Sequence, residues 1–271
     1  MAFDFDAFTE ILSEARELVT NIRHSDVMTK SALDFVTDTD FRVDAFLTQK
    51  LAALTPGVPI FSEERAMERP QEGAFWIVDP VDGTHNMLAD VPHYAISAAL
   101  FDGREAQIAG VMDVVAQGLY LAEKGSGAQV NGLSLRLSEK ASTLFALSSG
   151  AIDALFGQAD VYRALRKRGK VRNLGSQSLH LCYVAEGRFG LAMSQEARFW
   201  DDAPGRLIAE EAGAGYRSFA ALERGDFLDV AFSNAPLCSL CAHPDLFDEA
   251  ARLLSKLWPV NSERTEVQEK Q

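Results

Sequence analysis

The chain has few cysteines and no long apolar run. Its 271 residues include three cysteines, an odd number too small for a disulfide framework, so we expect free, buried thiols in a reducing compartment. No apolar run approaches the ~18 residues of a membrane span, and the first residues are acidic where a secretory leader needs positive charge. The sequence therefore predicts a cytoplasmic protein without membrane segments.

Basic residues are also scarce. Lysine and arginine number 26 against 39 aspartates and glutamates, which leaves a formal charge of −13 at pH 7. Such a charge repels polyanions, which argues against a nucleic-acid partner, and it attracts divalent cations. The remaining composition, 47% hydrophobic and 24% charged, is typical of a globular protein.

Hydrophobic spacing predicts alternating helices and strands. Apolar residues three and four apart predict a helix near the start of the chain and another over 39–54. Short apolar runs over 75–123 predict an antiparallel meander. Beyond it we expect helices at 151–168, 177–186 and 204–212 and strands at 190–193 and 230–233. This order predicts an α+β protein of two stacked lobes, residues 1–140 and 141–271.

The segment Asp79-Pro-Val-Asp-Gly-Thr84 suggests a metal site next to a phosphate site. A buried strand is expected to end at Asp79, and Pro80 removes a backbone donor, so the chain should turn there and bring Asp82 close to Asp79. Two close carboxylates repel each other, and a divalent cation with oxygen ligands, Mg²⁺, Mn²⁺ or Ca²⁺, is the usual compensation. Gly83 and Thr84 can offer backbone N–H groups to a phosphate. The alternative is an Asp-Gly turn with solvated carboxylates.

Two further acidic clusters accompany this segment. Ser62-Glu63-Glu64 follows an apolar run, and Trp200-Asp201-Asp202 places an aspartate at an expected helix N-cap. Taken singly, either cluster is more often a cap or a solvated edge.

Together the motifs resemble the signature set of the inositol monophosphatase family. The matching segments, in the family's order and at compatible spacing, are Asp34-Phe-Val-Thr-Asp-Thr-Asp40, Ser62-Glu63-Glu64, Asp79 to Thr84, and Trp200-Asp-Asp-Ala-Pro-Gly205 followed by Glu211-Ala-Gly213. The resemblance implies a layered αβαβα sandwich of the sugar-phosphatase type. It also implies a lithium-sensitive, Mg²⁺-dependent phosphatase that is commonly a homodimer.

The resemblance further implies a role for each matching residue. The implied ligands of two or three Mg²⁺ ions, for which Mn²⁺ can substitute, are Glu63, Asp79, the Val81 carbonyl, Asp82 and Asp201. Thr84 and Asp40 match the pair that positions and deprotonates the attacking water. The N–H groups of Gly83 and Thr84 match the phosphate cradle. Most ligands then belong to the N-terminal lobe, and the C-terminal lobe carries Asp201 and the substrate-facing loop.

The substrate side departs from the family pattern. Inositol-specific members carry a glutamate six positions before the tryptophan of the Trp-Asp motif, where this chain has Ser194, although a loop shift would let Glu196 substitute. Arg198 is a candidate for reading a second anionic group, with a surface ion pair as the alternative. Ser176 is the remaining candidate substrate contact.

The expected substrate is a small phosphate monoester, either inositol-phosphate-like or another polyol or sugar phosphate. Two alternatives stay open. One is the same chemistry on a bisphosphate nucleotide or histidinol phosphate. The other is a non-catalytic metal-binding or ligand-binding protein on the same scaffold.

Overall fold

A computed structural model of the chain describes residues 3–22, 27–31, 34–65, 73–219 and 236–257. Its helices are α1 (Phe5–Asn21), α2 (Asp38–Leu54), α3 (Thr84–Leu88), α4 (Ser149–Phe156), α5 (Ala159–Arg168), α6 (Gln177–Ala185), α7 (Phe199–Glu211) and α8 (Pro244–Leu254). In this part of the chain, no helix combines the length and the hydrophobicity needed to cross a bilayer.

The strands form a hairpin and two sheets. They are β1 (Val27–Ser31), β2 (Asp34–Thr37), β3 (Ile60–Ser62), β4 (Ala74–Asp82), β5 (Ala95–Asp102), β6 (Glu105–Asp113), β7 (Leu119–Glu123), β8 (Gly127–Val130), β9 (Leu133–Leu135), β10 (Leu144–Leu147), β11 (Lys170–Arg172), β12 (Leu191–Ala197), β13 (Gly215–Ser218) and β14 (Leu237–Ala242). β1 pairs with β2, β3 to β9 lie in sequence order in a seven-stranded sheet, and the five-stranded sheet has the order β11-β10-β12-β14-β13.

The predicted antiparallel meander is confirmed. From β4 to β9, each strand pairs antiparallel with the next. β3 extends this sheet as an edge strand parallel to β4. The parallel edge matters because it brings the carboxyl ends of β3 and β4, and the residues that follow them, to the same side of the sheet.

Alternation along the strands separates the layers. On β4, Trp76 and Val78 pack with α1 and α2, whereas Phe75 and Ile77 pack with α6 and α7. In the five-stranded sheet, β10 and β12 divide in the same way between α6–α7 and the outer helices α4, α5 and α8. The layers therefore run α, β, α, β, α, which confirms the fold that the resemblance implied. The division into lobes near residue 140 stays a prediction.

Several predicted boundaries shift. The helix expected over 151–168 is two helices, α4 and α5, separated at Gly157 and Gln158. The helix expected from Pro204 begins at Phe199, so Asp201 is its third residue and the predicted N-cap position is wrong. The strand expected over 230–233 lies outside the described residues. The three cysteines are free, and Cys182 and Cys241 are buried.

Substitution at Gly110 tests the packing of α1 on the seven-stranded sheet. A Cβ at this position would lie 2.5 Å from Leu12 Cδ1 and 2.8 Å from Phe8 Cε1, both on fully buried side chains. We expect Gly110→Ala to lower the free energy of unfolding by about 1–3 kcal/mol, measured by urea denaturation. Gly157→Ala is the control, because a Cβ there meets nothing within 4 Å. Equal stability of the two variants would contradict the packing.

Candidate metal centre and catalytic site

A β-bulge in β4 brings two aspartates together. Asp79 pairs with Ser97 of β5 and Asp82 pairs with Ala95, so three residue steps on β4 oppose two on β5. In a regular strand, residues three apart point to opposite faces, and the extra residue cancels that alternation. Val81 accordingly packs in the core beneath α1 and α2. Asp79 and Asp82 are left on the other face, toward α6 and α7.

The turn predicted at Pro80 is wrong. β4 continues through Pro80 to Asp82, and the register shift falls between Asp79 and Asp82. A proline fits a bulge because it has no N–H to give to the ladder. The two carboxylates therefore converge, as expected, but through a bulge within the strand.

Asp201 adds a third carboxylate from α7. It is the third residue of this helix, and its Oδ2 accepts a hydrogen bond of 2.6 Å from the N–H of Arg198, the cap residue. One oxygen each of Asp79, Asp82 and Asp201 lies within 4.8 Å of the others. Residues separated by more than a hundred positions in sequence thus form one cluster, which we call the acidic cluster.

Burial and mutual repulsion raise the pKa values of two members of the acidic cluster. For Asp79, which is 1% exposed, burial is the main cause of the raised pKa, followed by the charges of Glu63, Asp82 and Asp201. Burial also raises the pKa of Asp201, with further contributions from Asp82 and Glu63. Charged carboxylates in this arrangement are unstable unless a cation compensates them.

The acidic cluster fits a divalent cation. Oδ2 of Asp79 is buried and has no hydrogen-bond partner among the described residues. An unfilled carboxylate oxygen beside two other carboxylates is a site for a positive charge, and an all-oxygen donor set suits Mg²⁺ or Mn²⁺.

The start of α6 fixes the carboxylate of Asp82. Its Oδ2 accepts hydrogen bonds from Ser176 Oγ at 2.7 Å, Ser178 Oγ at 2.5 Å and Ser178 N at 2.7 Å, and its Oδ1 accepts one from Gln177 N at 3.3 Å. The positive end of the helix dipole adds to these contacts. Asp82 is thereby fixed in orientation even though it lies at the end of a bulged strand.

Glu63 lies beside the acidic cluster. It directly follows β3, and its N–H donates to the carbonyl of Val78 on the parallel strand β4, at 3.2 Å. Its charge contributes to the raised pKa values of Asp79 and Asp201. Glu63 is not part of the acidic cluster, whose three carboxylate oxygens lie within 4.8 Å of one another.

Thr84 and Asp40 form a hydrogen-bonded pair next to the acidic cluster. Thr84 Oγ1 lies 3.1 Å from Asp40 Oδ1 and 3.0 Å from the Val81 carbonyl, so its proton has two possible acceptors. Asp40 is 2% exposed, and its Oδ2 accepts from Thr37 N at 2.8 Å and Thr37 Oγ1 at 2.5 Å. The capping box of α2 therefore leaves Oδ1 directed at Thr84.

The chain between Asp82 and Thr84 requires glycine. Gly83 has φ of +98°, and a Cβ there would lie 3.2 Å from the His93 carbonyl and 3.3 Å from the Gly175 carbonyl. Both conditions favour glycine over any L side chain. The backbone can therefore turn sharply from the acidic cluster into α3.

A cavity of about 720 Å³ adjoins the acidic cluster. Its described lining residues are Asp82, His85, Asn86, Val91, His93, Ser148, Ser149, Asn173, Leu174, Gly175, Gln177, His180, Ser194, Glu196, Ala197 and Asp201. Twelve of these sixteen residues have polar side chains, and none is Lys or Arg. This is room for a small polar molecule next to the carboxylates.

The four predicted substrate contacts divide into two pairs. Ser194 and Glu196 line the cavity, and Glu196 Oε2 accepts a hydrogen bond of 2.8 Å from the N–H of Gly150 at the start of α4. Arg198 and Ser176 are not among the described lining residues. Arg198 caps α7, and Ser176 is fully buried with its hydroxyl on Asp82.

Sequence reasoning missed Asn86, Gln177 and His180 as cavity residues. Asn86 Nδ2 donates to the His93 and Leu174 carbonyls, both at 2.6 Å, and so ties α3 to the loop before α6. His180 is neutral, because burial lowers its pKa to about 3. The sequence offered one signal, the serines flanking Gln177 at the start of a predicted helix, and serines there suggest a cap rather than a site.

A model described as the inositol monophosphatase family matches residues 2–253. The chain belongs to the inositol monophosphatase family. It is 34% identical over 211 residues to a Nus factor SuhB of Pseudomonas aeruginosa, covering 72% of this chain and 78% of that protein. It is also 34% identical over 209 residues to an inositol-1-monophosphatase of Rhizobium meliloti, covering 71% and 75%. The solved structure of an IMPase from Thermotoga maritima matches with a TM-score of 0.80 at 26% identity, covering 93% of this chain and 96% of that one.

The raised pKa values predict how Mg²⁺ stabilisation of this inositol monophosphatase family member depends on pH. Above the ordinary aspartate pKa and below the raised values, the folded metal-free protein binds more protons than the unfolded chain, so its stability falls as pH rises through that window. Mg²⁺ binds ionised carboxylates and displaces those protons. We expect the rise in Tm caused by a fixed Mg²⁺ concentration to grow from about pH 5 to about pH 8.

Asp201→Asn is the comparison for this measurement. It removes one of the three carboxylates that can attract the cation, so the Mg²⁺-induced rise in Tm should be smaller at every pH. A Mg²⁺ effect that is equally large at all pH values in the unsubstituted protein would contradict the electrostatic interpretation.

The hydrogen bond from Ser178 Oγ predicts a loss of metal affinity when it is removed. Partners that orient a metal-binding carboxylate typically account for about 10–100-fold in affinity. We expect Ser178→Ala to weaken Mg²⁺ binding within that range, measured by isothermal titration calorimetry. Ser13→Ala is the control, since Ser13 Oγ donates only to the Thr9 carbonyl on α1. Unchanged affinity in Ser178→Ala would show that the Ser178 hydroxyl does not orient Asp82 for metal binding.

Proposed function

We propose that the protein hydrolyses a small phosphate monoester in the presence of Mg²⁺. The observation that carries this proposal is the junction of two groups of residues at one bulged strand end. In the acidic cluster, one carboxylate oxygen of each aspartate lies within 4.8 Å of the others. Beside it, Thr84 Oγ1 lies 3.1 Å from Asp40 Oδ1. A purely structural metal site needs carboxylates and has no use for a hydroxyl–carboxylate pair beside them.

The proposed metal ligands are the acidic side chains and one carbonyl at this strand end. We assign two or three Mg²⁺ ions, replaceable by Mn²⁺, to Glu63, Asp79, the Val81 carbonyl, Asp82 and Asp201. When bound, Mg²⁺ supplies Lewis acidity that lowers the pKa of water and offsets charge on the phosphoryl oxygens. The unfilled Oδ2 of Asp79 supports this assignment.

Thr84 and Asp40 position the attacking water in the proposed reaction. With its own proton directed at Asp40 Oδ1, Thr84 Oγ1 has lone pairs left to accept a hydrogen bond from water. The water gives one proton to Thr84 Oγ1 while the Thr84 proton passes to Oδ1 of Asp40, because Asp40 Oδ2 is already occupied by two hydrogen bonds from Thr37. The resulting hydroxide forms the new P–O bond as the P–O bond to the alcohol breaks, and the leaving alkoxide takes up a proton from solvent. The pair thus supplies general base catalysis without histidine or cysteine.

The phosphate and the alcohol group have separate places in this proposal. The N–H groups of Gly83 and Thr84 bind the phosphate, and the conformation that only glycine tolerates supports this assignment. The alcohol portion occupies the cavity, beside Ser194 and Glu196. The scarcity of cations in the described lining favours a monophosphate of a polyol or sugar over a bisphosphate.

Three further statements stay predictions of the proposal. We expect inhibition by lithium, a homodimer, and a cytoplasmic location. Histidinol phosphate and bisphosphate nucleotides remain alternative substrates. Comparing kcat/KM for each of them with kcat/KM for a polyol phosphate distinguishes these alternatives. One relative is named a Nus factor and not a phosphatase. If no phosphate monoester is hydrolysed, the alternative is a non-catalytic role on the same scaffold.

Removal of the Thr84 hydroxyl tests the mechanism. We expect Thr84→Val to lower kcat by about 10²–10⁴, the usual contribution of general base catalysis, in a phosphate-release assay with Mg²⁺. The Mg²⁺-induced rise in Tm should persist, since no proposed ligand side chain changes. Thr20→Val, at an exposed hydroxyl on α1, is the control. Full activity of Thr84→Val would exclude this role, and an inactive unsubstituted protein would exclude the proposed function.

A further inference from the structure

Glu63 lies in a turn that is held at both ends. At its start, Ser62 of β3 pairs with Val78 of β4. At its end, the N–H of Arg65 donates to the Ser62 carbonyl at 3.1 Å. Glu63 and Glu64 are therefore the two central residues of a β-turn. The strand pairing fixes where this turn begins, and the side chain of Arg65 fixes where it ends.

The side chain of Arg65 is bonded to Asp44 of α2. Arg65 Nε lies 2.7 Å from Asp44 Oδ2. Asp44 is 4% exposed, and its Oδ1 has no hydrogen-bond partner among the described residues. A buried carboxylate is costly without a paired cation, and in the described part of the chain that cation is Arg65. The ion pair therefore ties the end of the turn to a buried point on α2.

The same helix carries Asp40. Asp40 and Asp44 are four residues apart, so they lie one helical turn apart on one face of α2, and both are buried. Asp40 contacts Thr84, which follows β4, and Asp44 contacts Arg65, which closes the turn after β3. One helix face thus fixes the Thr84–Asp40 pair and the turn that carries Glu63 relative to each other.

We propose that Arg65 and Asp44 are positioning residues that hold Glu63 in place to bind a divalent cation. The inference rests on the proposed function, because it takes Glu63 as a metal ligand. It goes beyond that function by giving a role to two residues outside the ligand set. Holding a ligand in its bound position beforehand removes part of the ordering cost of binding.

The charge of Arg65 alone would act in the opposite direction. A guanidinium two residues from a metal ligand repels a divalent cation, so its removal as a charge would strengthen Mg²⁺ binding. Its removal as a positioning residue frees the end of the turn and weakens Mg²⁺ binding. The direction of the change therefore separates the two roles.

Arg65→Met is the direct test, because it keeps the aliphatic stem and removes the guanidinium. We expect Mg²⁺ to bind about tenfold or more weakly, measured by isothermal titration calorimetry without substrate. Arg65→Lys, which keeps a cation facing Asp44, should recover most of the affinity. Glu14→Gln is the matched control, since it breaks an ion pair to Lys50, six residues further along α2, and should leave the affinity unchanged.

Two double variants separate positioning from a purely structural role. In the Glu63→Gln background the ligand is already lost, so Arg65→Met should not weaken Mg²⁺ binding further. Arg65→Met combined with Asp44→Asn keeps the net charge and leaves no unpaired buried carboxylate. This variant should still bind Mg²⁺ weakly, and it replaces the single variant if Arg65→Met does not fold.

The remaining outcomes distinguish this inference from the proposed function. Unchanged or tighter Mg²⁺ binding in Arg65→Met would overturn the assignment. So would an equal weakening with and without Glu63, restored binding in the variant that also carries Asp44→Asn, or normal binding in Glu63→Gln itself. Each of these results leaves the proposed function standing if the unsubstituted protein hydrolyses a phosphate monoester. If the unsubstituted protein binds no Mg²⁺, the proposed function fails and the assignment fails with it.

Discussion

Mutual repulsion of the buried carboxylates in the acidic cluster is the constraint on which the site depends. Charges this close and this buried repel strongly, and the pKa values of Asp79 and Asp201 are raised as a result. The fold nonetheless holds them within 4.8 Å. The bulge in β4 presents two of them, and α7 presents the third from the middle layer of the sandwich. Such an arrangement is costly without a cation, so we interpret the cluster as a preorganised site for divalent metal.

Helices of the middle layer position the acidic cluster next to the proposed catalytic pair. The start of α6 orients Asp82. Gln177, the first residue of α6, donates a hydrogen bond to Asp202, which is next to Asp201 on α7. From the opposite side of the sheet, the capping box of α2 directs Asp40 at Thr84. Helix starts therefore meet the bulged strand end from two layers. Their N–H groups and dipoles stabilise negative charge there, whether it belongs to carboxylates or to a bound phosphate.

The order of helices and strands and the acidic motifs were accessible from sequence because both depend on local patterns, whereas the layered arrangement came from the family resemblance. The continuous apolar run at 75–78 predicts a buried strand, and helical spacing predicts the buried faces of α1 and α2. The bulge was not accessible, since it depends on how Asp79 and Asp82 register against β5. The serine contacts to Asp82 join residues 94 and 96 positions apart, and no local signal reports them. The hydrogen bond from Gln177 to Asp202 likewise joins two helices, and no local signal reports it.

The most direct test of a shared metal site is anomalous X-ray diffraction from crystals grown with Mn²⁺ and inorganic phosphate. We expect anomalous peaks between Asp79, Asp82 and Asp201, with phosphate between those peaks and the Gly83 and Thr84 N–H groups. Crystals in which the three carboxylates stay together but show no anomalous peak at saturating Mn²⁺ would contradict it. So would carboxylates that lie too far apart to bind a common ion.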